Sequence, residues 1–310
     1  MGGHEGTVEG TVGGGVVVGY DGSPSSREAL LWAAGEADRR RQPLTVLYGV
    51  GWLEFGPLTG SVVAEADLRV AAEEVVAEAR GIVHAAAPGV EVSSRVHVEL
   101  AATAALLEHS AGAELLVVGA RGRGGFAGLL LGSTSTTVAM HAACPVVVVH
   151  GPGSAAAGPS AGRVVVGVDG SELSVEAVEH AFAAASARGV GLTAVHAWDV
   201  PWLQAADGLP LDEREWRGLH EQEAVVLAEA LAGWADKYPD VPVSRVSVQA
   251  GAGTTLVQHS RGAELLVVGS RGRGGFGGLL LGSVSQTVVQ HAACPVLVLH
   301  HRRPGSQHRG

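Results

Sequence analysis

Ala113-Glu-Leu-Leu-Val-Val-Gly-Ala-Arg-Gly-Arg-Gly-Gly-Phe126 returns 150 residues later as Ala263-Glu-Leu-Leu-Val-Val-Gly-Ser-Arg-Gly-Arg-Gly-Gly-Phe276. Extended without a gap to His150 and His300, the two stretches agree at 30 of 38 positions, and the differences are small exchanges such as Ala120 for Ser270. A period this long is a duplicated domain, since solenoid repeats run to ~20–50 residues. The copies also begin alike, with Val16-Val-Val-Gly-Tyr-Asp-Gly-Ser23 matching Val164-Val-Val-Gly-Val-Asp-Gly-Ser171. Between them Gly151 to Gly162 is built from Gly, Pro, Ala and Ser, the composition of a flexible linker. The reading is a first domain at 14–150, a linker at 151–162 and a second domain at 163–301, with loose ends outside them.

Around the repeat, each copy alternates strand and helix patterns. In the second, Arg163 to Val168 is a short apolar run of the kind buried on both faces, and Glu172 to Arg188 has helical spacing behind an N-cap at Ser171. Strand two is expected at Leu192 to Trp198, one long helix at Asp212 to Asp236, and strand three at Val243 to Val248. A short helix near Thr254 to Ser260, strand four at Leu265 to Gly269, a helix at Gly282 to His291 and a strand at Pro295 to His300 complete the copy. Five strands joined by helical crossovers predict an α/β fold with a parallel doubly wound sheet in each domain, order 3-2-1-4-5, helices on both faces. Strands one and four then flank the switch point, where ligands bind outside the carboxyl ends. That places Asp21 beside Gly119 and Asp169 beside Gly269, facing one cavity in each copy.

The composition narrows the function. The formal charge is −10 and lysine occurs once, at Lys237, so nucleic acid is not an expected partner. No run of about 18 apolar residues predicts a membrane span. Two cysteines, Cys144 and Cys294, give no disulfide framework, and Met1 to Thr11 lacks the pattern of a signal peptide; the expectation is the cytoplasm.

The loop after strand four carries the chemistry. It reads Gly119-Ala-Arg-Gly122, nine residues, then Gly132-Ser133, and again Gly269-Ser-Arg-Gly272, nine residues, then Gly282-Ser283. Glycines permit positive φ and close backbone approach, so that successive N–H groups can point at phosphate oxygens. The following helix adds its free N–H groups and positive dipole end, with the hydroxyls of Ser133 and Ser283 as donors or caps.

This spacing, set between a Val-Val-Gly strand and a Cys-Pro-Val strand, resembles the ATP-binding branch of the universal stress protein family. The resemblance covers nearly the whole chain, as a tandem two-domain member. It implies that each domain binds ATP, with ADP as the related ligand and Mg²⁺ as companion, and that occupancy serves as a stress-response signal. Carried over by position, Asp21 and Asp169 would contact the adenosine, with Gly19 and Gly167 allowing close approach and Leu44 and Leu192 near the adenine. Gly119, Ala120, Arg121, Gly122, Arg123, Gly124, Gly125, Gly132, Ser133, Thr134 and Ser135 would surround the phosphates. Gly269, Ser270, Arg271, Gly272, Arg273, Gly274, Gly275, Gly282, Ser283, Val284 and Ser285 would repeat this. Asp199, whose counterpart is Gly51, could reach a ribose. Leu100 and Ala250 stand where the family often has glycine, which raises the prospect of unequal sites. The family also pairs domains through their last strands, so Val146 to Val149 should run antiparallel to Val296 to Leu299 as an internal pseudo-dimer, with a homodimer as a further option.

Other readings are weaker. Gly272 to Gly277 fits the dinucleotide fingerprint but follows the fourth strand instead of the first. No Gly-Lys-Ser/Thr occurs, which removes a Walker A loop. Asp21 and Asp169 could be turn formers instead of ligand contacts, whereas Cys144 and Cys294 are read as small core residues in preference to redox groups, and His141 and His291 as helix-end caps. No metal-ligand spacing and no nucleophile, base and acid grouping is legible. An alternative is a slow ATPase or autophosphorylating protein using Ser133, Ser135, Ser283 or Ser285.

Overall fold

The structure is a computed structural model and describes residues 14–49, 65–98, 100–122, 131–151, 157–199, 212–273 and 280–300. The first half runs β1 (Val16–Gly19), α1 (Pro24–Arg40), β2 (Leu44–Gly49), α2 (Glu65–Ala86), β3 (Val92–His97), α3 (Ala102–Ser110), β4 (Leu115–Gly119), α4 (Ser133–His141) and β5 (Val146–Val149). The second half runs β6 (Val164–Gly167), α5 (Glu172–Arg188), β7 (Leu192–Trp198), α6 (Glu213–Ala230), α7 (Trp234–Lys237), β8 (Val243–Gln249), α8 (Ala252–His259), β9 (Leu265–Gly269), α9 (Ser283–His291) and β10 (Val296–Leu299).

All ten strands form one sheet in the order β3-β2-β1-β4-β5-β10-β9-β6-β7-β8. Each half is parallel in the order expected. The Val-rich central strands are buried on both faces because helices cover both. Residues of α1, α2, α5 and α6 join the core on one face, with Leu30, Val76, Phe182 and Leu227 among them. Those of α3, α4, α8 and α9 fill the other, through Leu106, Val138, Leu256 and Val288. Each such side chain contributes about 1.5–3 kcal/mol on leaving water.

The halves meet at β5 and β10, which pair antiparallel with Leu297 opposite Val147. These are equivalent positions of the repeat, so a local two-fold relates the strands, and each covers the open edge of the other. His150 and His300, one residue past the strands, reach across the seam. His150 Nε2 lies 2.9 Å from the Val289 carbonyl and His300 Nε2 lies 2.8 Å from that of Ala139. On the other face, Arg188 of α5 meets Glu36 of α1 at 2.6 Å, both buried.

Two expectations need correction. The helix expected over Asp212 to Asp236 opens with a capping box at Asp212 and Glu215 but ends at Ala230, because Gly233 takes φ 76° and turns the chain into α7. The linker is not free throughout: Gly158 N–H donates to the Arg261 carbonyl at 2.9 Å, and Ser160 is fully buried with Oγ 2.8 Å from His259 Nδ1. Residues 157–162 are thus packed against the end of α8. Among the described residues no helix is long and apolar enough to cross a membrane.

Candidate functional site

The switch point is built first by turns. After β1 and β6, Gly22 and Gly170 both take φ 78°, and the carboxylates of Asp21 and Asp169 accept the backbone N–H of Ser23 and Ser171 at 2.9 and 3.0 Å. Ser23 and Ser171 then cap α1 and α5. The second oxygen of Asp169 turns away from the helix and accepts the Arg273 N–H at 2.9 Å, which joins the turn to the glycine loop. Burial works against ionisation of Asp169, but the hydrogen bonds from Ser171 and from the Arg273 backbone outweigh it and hold the carboxyl below its usual range. It is an anion at neutral pH.

The glycines divide by what a side chain would meet there. At Gly119 and Gly269 a Cβ would stand 2.6 Å from the Ser25 carbonyl oxygen and 2.8 Å from Leu173 Cβ, so these glycines let the helix after strand one pack on the sheet. At Gly19 and Gly167 it would press on Leu106 and Leu256 at 3.2 and 3.1 Å. At Gly122 and Gly272 it would strike the carboxylates of Asp21 and Asp169. The acids therefore lie against Gly122 and Gly272, not beside Gly119 and Gly269 as the strand order suggested. Gly132 and Gly282 differ again, because a Cβ would find its nearest atoms only at ordinary contact, 3.5 Å in each. None of these eight residues has positive φ, so their value is close approach of neighbouring atoms, and not left-handed backbone.

Gly132 and Gly282 N-cap α4 and α9 without any side-chain cap, and α3 and α8 also begin without one. In contrast α1, α5 and α6 are capped by Ser23, Ser171 and Asp212. First-turn N–H groups are left for an outside acceptor, and the helix dipole favours an anion. The loop is fastened below: Ala120 and Ser270 are buried, and their carbonyls accept the N–H of Gly132 and Gly282 at 2.8 and 2.7 Å.

In the second half these parts enclose a cavity of about 470 Å³. One end is polar, lined by Arg271, Gly272, Arg273, Gly282 and Ser283, with Asp169 and Ser285 beside it. The other is apolar, formed by Val168, Val195, Ala197, Ala252 and Leu256. That volume is within the ~300–1,000 Å³ of small-molecule sites, and a polar end with an apolar wall is their usual composition. Among the described residues no cluster of His, Cys, Asp or Glu could hold a metal ion.

The sequence model of the Universal stress protein family matches residues 15–150 and again 161–300. The chain belongs to the universal stress protein family. Universal stress protein Rv2623 of Mycobacterium tuberculosis is 40% identical over 298 residues, covering 92% of this chain and 95% of that one. Universal stress protein Rv2005c of the same organism is 41% identical over 293 residues, covering 92% and 96%. A universal stress protein of Archaeoglobus fulgidus shares the fold at TM-score 0.64 and 21% identity, over 93% of this chain and 98% of that one. This universal stress protein therefore has two family domains in tandem.

Several expected site residues are elsewhere. Leu44 and Leu192 are buried at the opening of β2 and β7, paired with Val16 and Val164 at the amino ends of the strands. The cavity lies at the carboxyl ends, where Val195 and Ala197 face it from strand two. The Ser135 and Ser285 hydroxyls donate to the Gly119 and Gly269 carbonyls, each at 2.6 Å, so they tie helix to strand and have no proton for a phosphate. Thr134 Oγ1 accepts from Thr103 at 3.1 Å, while its counterpart Val284 faces the cavity. Asp199 is exposed and does not line it. Ser133 and Arg121 are exposed at the corresponding place in the first half. Arg123, Gly124, Gly125, Gly274 and Gly275 lie outside the described residues.

Sequence reasoning missed Val195, Ala197, Ala252 and Leu256. The i, i+2 spacing of Val195 and Ala197 was the available signal, since strand residues two apart share a face. It also missed His196, on the opposite face of β7, whose Nδ1–H donates to the Val168 carbonyl at 2.7 Å and whose Nε2 lies 2.6 Å from Glu223. That contact fixes the backbone leading into Asp169.

Proposed function

We propose that the chain binds an adenine nucleotide, ATP or the related ADP, in each half, and that occupancy regulates a stress response in the cytoplasm. The observation that carries this is the second-half cavity, whose polar end offers loop amides, two Arg side chains and the uncapped start of α9. Beside Gly282, where a Cβ would only touch the Ser270 carbonyl and Arg271 at ordinary contact, the bare backbone lines the cavity, and phosphate oxygens would approach it there. The apolar end would take the base, and the Asp169 carboxylate, between the two, would accept a ribose hydroxyl. Mg²⁺ would arrive on the triphosphate, as its charge partner, and not on a protein carboxylate cluster.

The supporting geometry is that of binding. Phosphate transfer to Ser135 or Ser285 is disfavoured by their hydrogen bonds to Gly119 and Gly269. Isothermal titration of the whole chain with ATP should give heat and a total approaching two nucleotides per chain. Absence of heat at millimolar ATP would remove the proposal.

A further inference from the structure

We propose that the two halves are unequal nucleotide sites, the second open to the whole ligand and the first closed at its base end by its own backbone. This rests on the nucleotide reading above. Ala197, at the apolar end of the second cavity, has Gly49 as its counterpart, since both stand five residues after the leucine that opens strand two. Ala197 carries a methyl group and still faces open space, with Ala252 across it. Gly49 has no room for one. A Cβ there would lie 2.7 Å from Ala102 Cα and 3.3 Å from the Leu100 carbonyl oxygen. In the first half, then, the start of α3 rests directly on strand two, where the second half has cavity.

The cause is one residue in the connection before the helix. Gly49 pairs with His97 and Ala197 with Val248. From these partners to the helix start is 102 − 97 = 5 residues in the first half and 252 − 248 = 4 in the second. In the shorter connection Ala250 N–H still donates to the Trp198 carbonyl at 3.0 Å, so the chain keeps to the sheet edge. In the longer one the Leu100 side chain is partly buried against the core on the site face.

A second difference is independent of this. The Arg121 N–H, at the phosphate loop of the first half, donates to Ser25 Oγ at 3.1 Å. The equivalent of Ser25 is Leu173, which has no acceptor, so a loop amide that the first half spends on itself is not bound this way in the second. Both differences disfavour the first site: one removes space for the base, the other a donor for phosphate.

Titration of the full chain with ATP tests this. One nucleotide per chain should bind in a tight class, with the other at least about tenfold weaker, a difference of about 1.4 kcal/mol. Gly282→Ala should abolish the tight class and leave the weak one, and Ala197→Leu, which fills the base end of the second cavity, should do the same should Gly282→Ala not fold. Two sites of equal affinity in the wild type, or a tight class that survives either folded variant, would overturn the inequality. No binding at all would instead overturn the nucleotide reading.

Discussion

Gly269 and Gly282 stand thirteen residues apart in one loop, and alanine should have opposite effects at the two. At Gly269 the added methyl would meet Leu173 Cβ at 2.8 Å and the Arg271 carbonyl at 3.2 Å. Both belong to a helix start and a loop backbone that cannot swing aside, so overpacking should cost about 1–3 kcal/mol. At about 2–4 °C per kcal/mol for domains of this size, the melting temperature falls by about 2–12 °C. Gly282 has φ −73° and ψ 159°, which alanine adopts freely, and its methyl would find the Ser270 carbonyl at 3.5 Å. Alanine gains about 0.4–1 kcal/mol by restricting the unfolded chain and loses about 0.5–1 kcal/mol as a poorer N-cap, so stability should be unchanged. The methyl nevertheless fills the mouth of the loop, and nucleotide affinity should drop at least about tenfold. Thermal melting and ATP titration of the two variants separate the effects. A Gly282→Ala protein that melts as early as Gly269→Ala, or that binds ATP like the wild type, would refute the reasoning.

Arg188→Met strands the buried Glu36, whose carboxyl is held below its usual range against the cost of burial by Arg188, Arg40 and Arg39. The loss in urea denaturation should be about 3 kcal/mol, the lower end for a broken buried pair because Arg39 and Arg40 remain, and less than about 1 kcal/mol would contradict it. Burial pushes the thiols of Cys144 and Cys294 up to about 12, so neither should react with a disulfide reagent at pH 8 until the chain is unfolded. Rapid labelling of the native protein would disprove this. Burial, the largest cause, also lowers the pKa of His150 and His300, with Arg121 near the first and Arg271 and His141 near the second acting in the same direction. The folded state keeps both rings neutral while the unfolded chain takes up protons near the ordinary value of about 6.5. Stability is therefore complete above that pH and falls as the pH drops through it, before any carboxylate is protonated. Urea midpoints between pH 7.5 and 5.5 should show the slope, and a His150→Gln, His300→Gln double variant should flatten it; an unchanged slope would exclude the seam histidines.

Much of the fold could be read because the sequence is consistent at several levels. Valine runs gave the central strands, Ser23 and Ser171 the helix starts, and the second copy checked each boundary found in the first. The errors have physical causes. The helical pattern continues through Asp236, but the chain leaves α6 after Ala230 and turns at Gly233, whose left-handed conformation is not legible in the pattern. Residues 157–162 have linker composition, but Ser160 has a buried partner that no local pattern could reveal. Leu44 and Leu192 were placed at the site by resemblance, whereas parallel strands present ligands only at their carboxyl ends, three residues further on at Val195. The glycines after strand four suggested left-handed backbone, yet none of the described ones there has positive φ, and they serve by letting neighbouring atoms come close.

That last distinction decides which identities between the two copies concern a ligand. Gly119 and Gly269 leave room for a helix to lie on the sheet, and at Gly19 and Gly167 a Cβ would crowd the ends of Leu106 and Leu256. Packing accounts for their repetition, although Gly167 and Gly269 also line the second-half cavity. Gly122 and Gly272 accommodate the carboxylates of Asp21 and Asp169, and Gly132 and Gly282 accommodate no protein atom closer than ordinary contact. Gly132 and Gly282, with the uncapped starts of α4 and α9 behind them, are the part of the repeat that packing does not explain. The connection before α3 and α8, in contrast, differs by one residue and by Leu100 against Ala250, and it is this segment that borders the base end. Duplication has thus kept the glycine starts of α4 and α9 alike while the wall opposite them has diverged, so under the proposed nucleotide reading an effect of ligand on this chain should be governed by the second half first.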